Sequence, residues 1–380
     1  MDEPTDNQTT IYVPPIVFDR NLHHVPLPVR TADMMWAGAG LSSMYSGSTV
    51  CIPTSVYSLP MALVEQVGGW DTDPGAIGED LHMYLKCFFA LSGNLNVRIV
   101  YAAASQCDVS SDVPGIKGYF DGLNARYGQA LRHMWGSLDT GYTIRKTFEM
   151  VDRHRRATQA HSDLQLSAPK YAEDAIRVLQ RVLLTACSST LITPYTSVEH
   201  HTSPTPKLAA PACVSPQPIH KMNVLTVYER LFEAHFLPIH LVVILITSSI
   251  FTLLVPASSI PEVFRLALTF SSWCRVVGWL CMLCYFHRYQ KYHRLCVALR
   301  QEEMRKAGML DEVTEHDGFT HSIFQVAGLI EVGLFPIGGT IFGAIPALQA
   351  VVSHLLTDRL TYVVSLKPQV AMKRWRGMTP

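Results

Sequence analysis

Long apolar runs crowd the second half of the chain, and shorter ones broken by Gly and Pro fill the first. The run FLPIHLVVILITSSIFTLLV, 236–255, has no charge over 20 residues, about what a helix needs to cross the hydrocarbon core of a bilayer. After the connection PASSIPE comes LALTFSSWCRVVGWLCMLCYF, 266–286, which predicts a second span interrupted by Arg275. A charge there is expensive, so it must snorkel, face a bundle or pair with another group. A third apolar region, 318–356, is too long for one unbroken span. It is interrupted at FPIGG by Pro336, Gly338 and Gly339, and predicts a hairpin or re-entrant pair. Glu331, near its middle, is expected to face protein close to the interface.

Upstream of these spans, MNVLTVYERLFEAHF, 222–236, repeats apolar residues at helical spacing while Glu229, Arg230 and Glu233 make a polar side. This amphipathic helix, 222–235, either rests in the lipid interface or packs on the preceding domain. From Ser188 to Pro218 the chain is rich in Ser, Thr and Pro and reads as a linker. Residues 11 to about 150 suit an α/β or α+β region. Within it TADMMWAGAGLSSMY, 31–45, predicts a helix with Thr31 or Asp33 at its cap, and RIVYAAAS, 98–105, a buried strand. The expected organisation is an α/β cytosolic domain over 1–160, a helix and linker over 161–220, a helical membrane region over 221–366 and a basic tail over 367–380.

Composition agrees: 48% apolar residues is high for a wholly soluble protein. Lys plus Arg equals Asp plus Glu at 31 each, so no global field argues for nucleic acid as a partner. Nine scattered cysteines give no disulfide framework, and Cys281 and Cys284 form a C-x-x-C inside an apolar run with no second pair to complete a zinc site. They read as helix-packing thiols. The opening MDEPTDNQTT lacks the pattern of a secretory signal. His287, Arg288, Lys291, Arg294, Arg300, Arg305 and Lys306 follow the second span, whereas PASSIPE has no Lys or Arg. The positive-inside rule then puts this basic loop and the first domain in the cytosol. Lys367, Lys373, Arg374 and Arg376 in the tail favour an even number of crossings in a multi-pass protein.

Candidate chemistry begins at GGWDTDPGAIGEDLHMYLKCFF, 68–89. Gly68 and Gly69 permit a tight turn, and Trp70 supplies a large planar surface. Glu79 and Asp80 then open a helix whose Leu81, Tyr84, Leu85 and Phe88 repeat at helical spacing. Carboxylates there either cap free amides or, if ionised and facing a cleft, take a proton from an attacking alcohol. A second element, ARYGQALRHMWG, 125–136, sets Gln129 and Arg132 on one helix face, with Trp135 three further on. A guanidinium beside an amide suits a diphosphate leaving group, and an indole suits a sugar ring. Taken singly, the first element reads as a helix cap and the second as an ordinary helix with a solvated Arg and a core Trp.

Together, in this order and ahead of membrane spans, the two elements resemble membrane-bound family-two glycosyltransferases, the group of cellulose, chitin and hyaluronan synthases, and among them the fungal-type members with a GEDLHM-like sequence. Residues 12–142 look like the acceptor-side half of a glycosyltransferase A-type domain. The resemblance implies inverting transfer from a nucleotide-sugar donor to a glycan or lipid acceptor at the bilayer. Asp80 matches the catalytic base with Glu79 as its neighbour, and Gln129 and Arg132 match residues at the donor diphosphate and acceptor end. In the family motif Trp directly follows Arg, whereas here His133 takes that position and Trp135 is shifted by two residues. The family also implies a divalent metal, manganese or magnesium, whose ligands are not found here. The Asp71-x-Asp73 pair follows GGW instead of an apolar strand and precedes Pro-Gly, so it reads as a solvated turn. With 67 residues ahead of Gly68, no nucleotide-binding half is found, and the chain is expected to be truncated and poor at binding donor. A non-catalytic scaffold or regulatory subunit is the alternative.

Overall fold

The computed structural model of the chain describes residues 8–21, 25–71, 78–111, 113–160, 218–308, 326–357 and 360. Residues 188–217 of the linker, Asp73 and the basic tail lie outside the described residues.

Helix dominates, and the strands are few and short. β1 (Thr10–Val13) pairs in parallel with β3 (Asn96–Ile99), and β2 (Ile16–Phe18) pairs in parallel with β4 (Ala104–Gln106). Pro14 and Pro15 separate the two ribbons on one side. They offer no N–H, so the opposite strand loses its partners between the Val100 N to Val13 O bond at 3.0 Å and the Ala104 N to Pro15 O bond at 2.8 Å. RIVYAAAS is therefore not one buried strand. It splits at this point, and Tyr101 is 77% exposed.

α1 (Leu27–Leu41) is capped at Pro26, five residues before Thr31, the nearer of the two predicted caps, with Pro28 in its first turn, where a missing N–H costs nothing. Thr31 and Asp33 are buried inside it. The Thr31 hydroxyl donates back to Leu27 O at 3.0 Å, and Asp33 Oδ1 meets Arg126 Nε at 2.7 Å. α2 (Met61–Gln66) and α3 (Glu79–Ala90) follow, α3 burying Met83, Tyr84, Leu85, Cys87, Phe88 and Phe89. α4 (Gly115–Met134) ends in a 3₁₀ turn, Trp135–Ser137, before α5 over 138–160. From Lys146 on, the chain belongs to a second compact unit, Lys146–Ile219. Its described helix carries the exposed ion pairs Lys146–Glu149 and Arg156–Asp152.

α6 (Lys221–His235) buries Asn223, Val227, Leu231 and His235, one residue per turn, while Met222, Leu225 and Phe232 stay exposed. Asn223 donates to Gly93 O at 2.8 Å and accepts from Thr49 at 2.6 Å. α7 (Leu237–Leu254) buries none of its side chains. α8 (Glu262–Lys306) runs for 45 residues, about 67 Å. Arg275 finds partners in Ser248 on α7 at 2.9 Å and Ser272 at 2.7 Å. The expected basic loop after residue 286 is instead more of α8. It packs on the β2–β4 ribbon: His293 Nε2 lies 3.1 Å from Phe18 O, and Arg300 reaches Asp19 at 2.5 Å and Ser105 at 2.7 Å.

The predicted hairpin at FPIGG is also absent. α9 (Val326–Gly339), a π turn (Thr340–Ala344) and α10 (Ile345–Ser353) form one continuous helical run with Pro336 inside it. The π turn absorbs the interruption, and the Thr340 hydroxyl occupies the Pro336 carbonyl at 2.7 Å. This run packs on α1: Glu331, 1% exposed, pairs with Arg30. Among the described residues three stretches, Leu237–Leu254, Glu262–Lys306 and Gly328–Ser353, contain helix long and apolar enough to cross a membrane. Cys281 and Cys284 are exposed on α8.

Candidate active site

A cavity of about 960 Å³ lies among α1, the loop around Ser55, the starts of α3 and α7, the ends of α4 and α6, and the π turn. Among the residues predicted for a site, Glu79, Asp80 and Arg132 line it. Gln129, Trp70 and Trp135 do not. Gln129 is half-buried on α4, and Trp70 is 45% exposed beside Tyr57. Trp135, carried into the 3₁₀ turn, is 4% exposed and packs edge-on against His354 at 4.3 Å.

The aromatic surface in the cavity comes from elsewhere. Trp36 of α1 stacks on His133 with ring centroids 4.5 Å apart and planes 19° apart, and both line the wall. Burial, then the charges of Arg126 and Arg132, hold the His133 pKa well below its ordinary value. A neutral imidazole thus stands where the family motif has Trp.

The glycine turn is tied down from α3 itself. Gly68 and Gly69 take φ of +87° and +93°, a region that glycine enters freely. Lys86 then donates to Gly69 O at 2.9 Å and to Asp71 Oδ1 at 2.8 Å. Asp71 also lies 4.0 Å from His82 Nε2, whose Nδ1 meets Asp139 at 2.6 Å. The Asp139 hydrogen bond raises the His82 pKa against the effect of burial. Asp71 is thus engaged by Lys86 with its side chain largely buried, not solvated as the turn reading predicts. Among the described residues, which leave out Asp73, no three His, Cys, Asp or Glu side chains gather so as to hold a metal ion.

Asp80 sits in the first turn of α3, whose cap, Gly78, offers no side-chain acceptor. Its Oδ1 accepts from the Leu81 amide at 2.8 Å, and the Ser55 amide also hydrogen-bonds to it. Ser55 has φ of +105°, a strained value for a residue with a side chain. Burial raises the Asp80 pKa, the Glu79 charge raises it further, and the amides lower it; the result is about 6. A carboxyl so poised is mostly ionised at pH 7 and still a useful proton acceptor. Nothing in the sequence near Pro53-Thr54-Ser55 marks that loop as part of the site.

Behind α4, Arg126 is clamped by Asp33, itself beside Asp108, which burial and then the Asp33 charge push well above the usual carboxylate range. Asn21 holds Asp108 in place, accepting its amide at 2.8 Å and donating to its carbonyl at 2.9 Å. Arg126 lies over the Phe342 ring, 5.9 Å from its centroid, where α4 meets the π turn.

Set against known protein families, residues 2–287 match the family described as glycosyl transferase family group 2. The match covers three quarters of the chain, and the chain belongs to that family. No curated protein and no solved structure matches it.

Proposed function

We propose that this chain carries the acceptor side of an inverting glycosyltransferase working at a membrane, with 12–142 as the acceptor half of an A-type domain. Asp80 takes the proton of the acceptor hydroxyl as its oxygen attacks the anomeric carbon. The new glycosidic C–O bond forms as the bond to the diphosphate breaks, and the departing nucleoside diphosphate carries the electron pair toward Arg132. Two backbone amides keep Asp80 aimed and ionised, and the Trp36–His133 stack gives a sugar ring an apolar face. The single observation behind this reading is Asp80, poised near pKa 6 on the wall of a cavity that also holds Arg132.

The bilayer enters through α7 and the first half of α8, whose apolar side chains are left uncovered. The basic half of α8 and the ribbons it packs on then lie on the cytosolic side.

The test is Asp80→Asn on the membrane-reconstituted chain, supplied with UDP-glucose, UDP-N-acetylglucosamine or GDP-mannose and manganese. Transfer should fall about 10²-fold to 10⁴-fold with membrane association unchanged. Turnover that survives the substitution overturns the role of Asp80. A wild-type chain that binds no donor at all favours the scaffold.

A further inference from the structure

His235 is the last residue of α6, two positions before α7 begins at Leu237. It is 5% exposed, yet it lines the cavity. Its Nδ1 lies 3.2 Å from Leu231 O. A carbonyl only accepts, so Nδ1 carries the proton and the neutral ring keeps a bare lone pair on Nε2. Burial, aided by the neighbouring His354 and opposed by the Leu231 bond, lowers the pKa to about 4, so the ring is neutral at physiological pH.

Nε2 stands over Gly136, where a Cβ would come within 3.2 Å of it and 3.5 Å of Leu81 Cδ2. The Cα of Gly136 in turn lies 3.8 Å from where a Cβ on Gly78 would stand. The lone pair is thus set where α6, the 3₁₀ turn and the first turn of α3 meet, beside the peptide that holds Asp80. Among the described residues no donor meets Nε2. Nε2 is instead open to the cavity, and an acceptor there takes its donor from whatever fills that space.

We propose that His235 Nε2 accepts a hydrogen bond from a hydroxyl of the acceptor sugar, holding that sugar against the start of α3. This rests on the reading of Asp80 as the base for the attacking hydroxyl. A neutral lone pair welcomes an O–H and repels an anionic oxygen, so the group bound here is an alcohol and not a phosphate. Glycine at 136 keeps the approach to Nε2 open.

The experiment uses the full chain in phospholipid nanodiscs with ¹⁵N-labelled histidine, and methyl β-glucoside and inorganic phosphate as probes. His235 should appear as the Nδ1–H tautomer, its Nε2 resonance moving with the glucoside and not with phosphate. The Nε2–H tautomer, or a resonance that phosphate moves and glucoside does not, overturns the proposal. Asn at 235 keeps the donor to Leu231 and removes Nε2, whereas Gln replaces the distal acceptor. His235→Asn should weaken glucoside binding about 10-fold at an unchanged thermal midpoint, and His235→Gln should restore it. Unaltered binding in His235→Asn sinks the His235 role and leaves Asp80 standing. Asp80→Asn should keep glucoside binding and lose transfer from UDP-glucose; retained transfer sinks the base instead.

Discussion

Asp80 has a thermodynamic signature separate from turnover. Between its ordinary value of 3.8 and about 6, the folded protein holds this proton more tightly than the unfolded chain does. Asp80 therefore opposes folding increasingly as pH rises through that window, and the penalty levels off above pH 6. Allowing for partial solvent screening, it reaches roughly 2 kcal/mol at pH 7. Asp80→Asn should raise stability by about that amount in denaturant titrations at pH 7, with the gain vanishing by pH 4. The rate of the wild type should climb with pH and flatten above about 6, since the base must be ionised. A first-turn acid serving only as a cap would show the opposite stability change.

At the scale of elements, α1 is the piece on which the others converge. A Cβ on Gly38 would stand 2.6 Å from Tyr285 Cζ, and the Tyr285 hydroxyl is fixed by its 2.5 Å bond to Met34 O. Gly38→Ala should cost about 1–3 kcal/mol, read as a lowered thermal midpoint, because α8 cannot retreat without breaking that bond. On the neighbouring side, Glu331→Ala strips a buried carboxylate from Arg30 and should cost about 3–5 kcal/mol. Arg30→Met with Glu331→Met should recover most of the loss in the same unfolding assay.

These contacts also explain what the sequence made legible. The uncharged run beginning at Phe236 and the acid pair at Glu79 and Asp80 carry local signals, of length and of motif; the first is a helix and the second lines the cavity. Glu331 is legible as either a functional intramembrane acid or a group facing protein, and its pairing with Arg30 places it against protein. The continuity of α9 through Pro336 depends on a π turn and on packing against α1, which no local pattern encodes. Trp36, Ser55 and His235 reach the cavity from three separate elements, so only the fold brings them beside Asp80. The break in the predicted strand at Tyr101 originates in Pro14 and Pro15, more than 80 residues away.

For the whole molecule, the uncovered side chains of α7 and the first half of α8 dictate the solvent it needs. Leu253, Leu254, Val263, Leu266, Phe270 and Trp273 are each more than 60% exposed. So much contiguous apolar surface should hold the chain in the membrane pellet through alkaline carbonate extraction, and a chain recovered in the carbonate supernatant would refute bilayer insertion.

α8 adds a mechanical consequence. One unbroken helix joins Arg275, hydrogen-bonded between the apolar helices, to Arg300, which grips Asp19 beside the ribbons. The two guanidinium anchors are about 37 Å apart along a single rod. A rod has no joint in which to absorb a tilt. Were α7 and α8 to lean by 5° in a thicker or thinner bilayer, the far end would swing by about 3 Å. The force would arrive at β2 and β4, so a chain inserted as proposed would pass a change of lipid thickness directly to its strands.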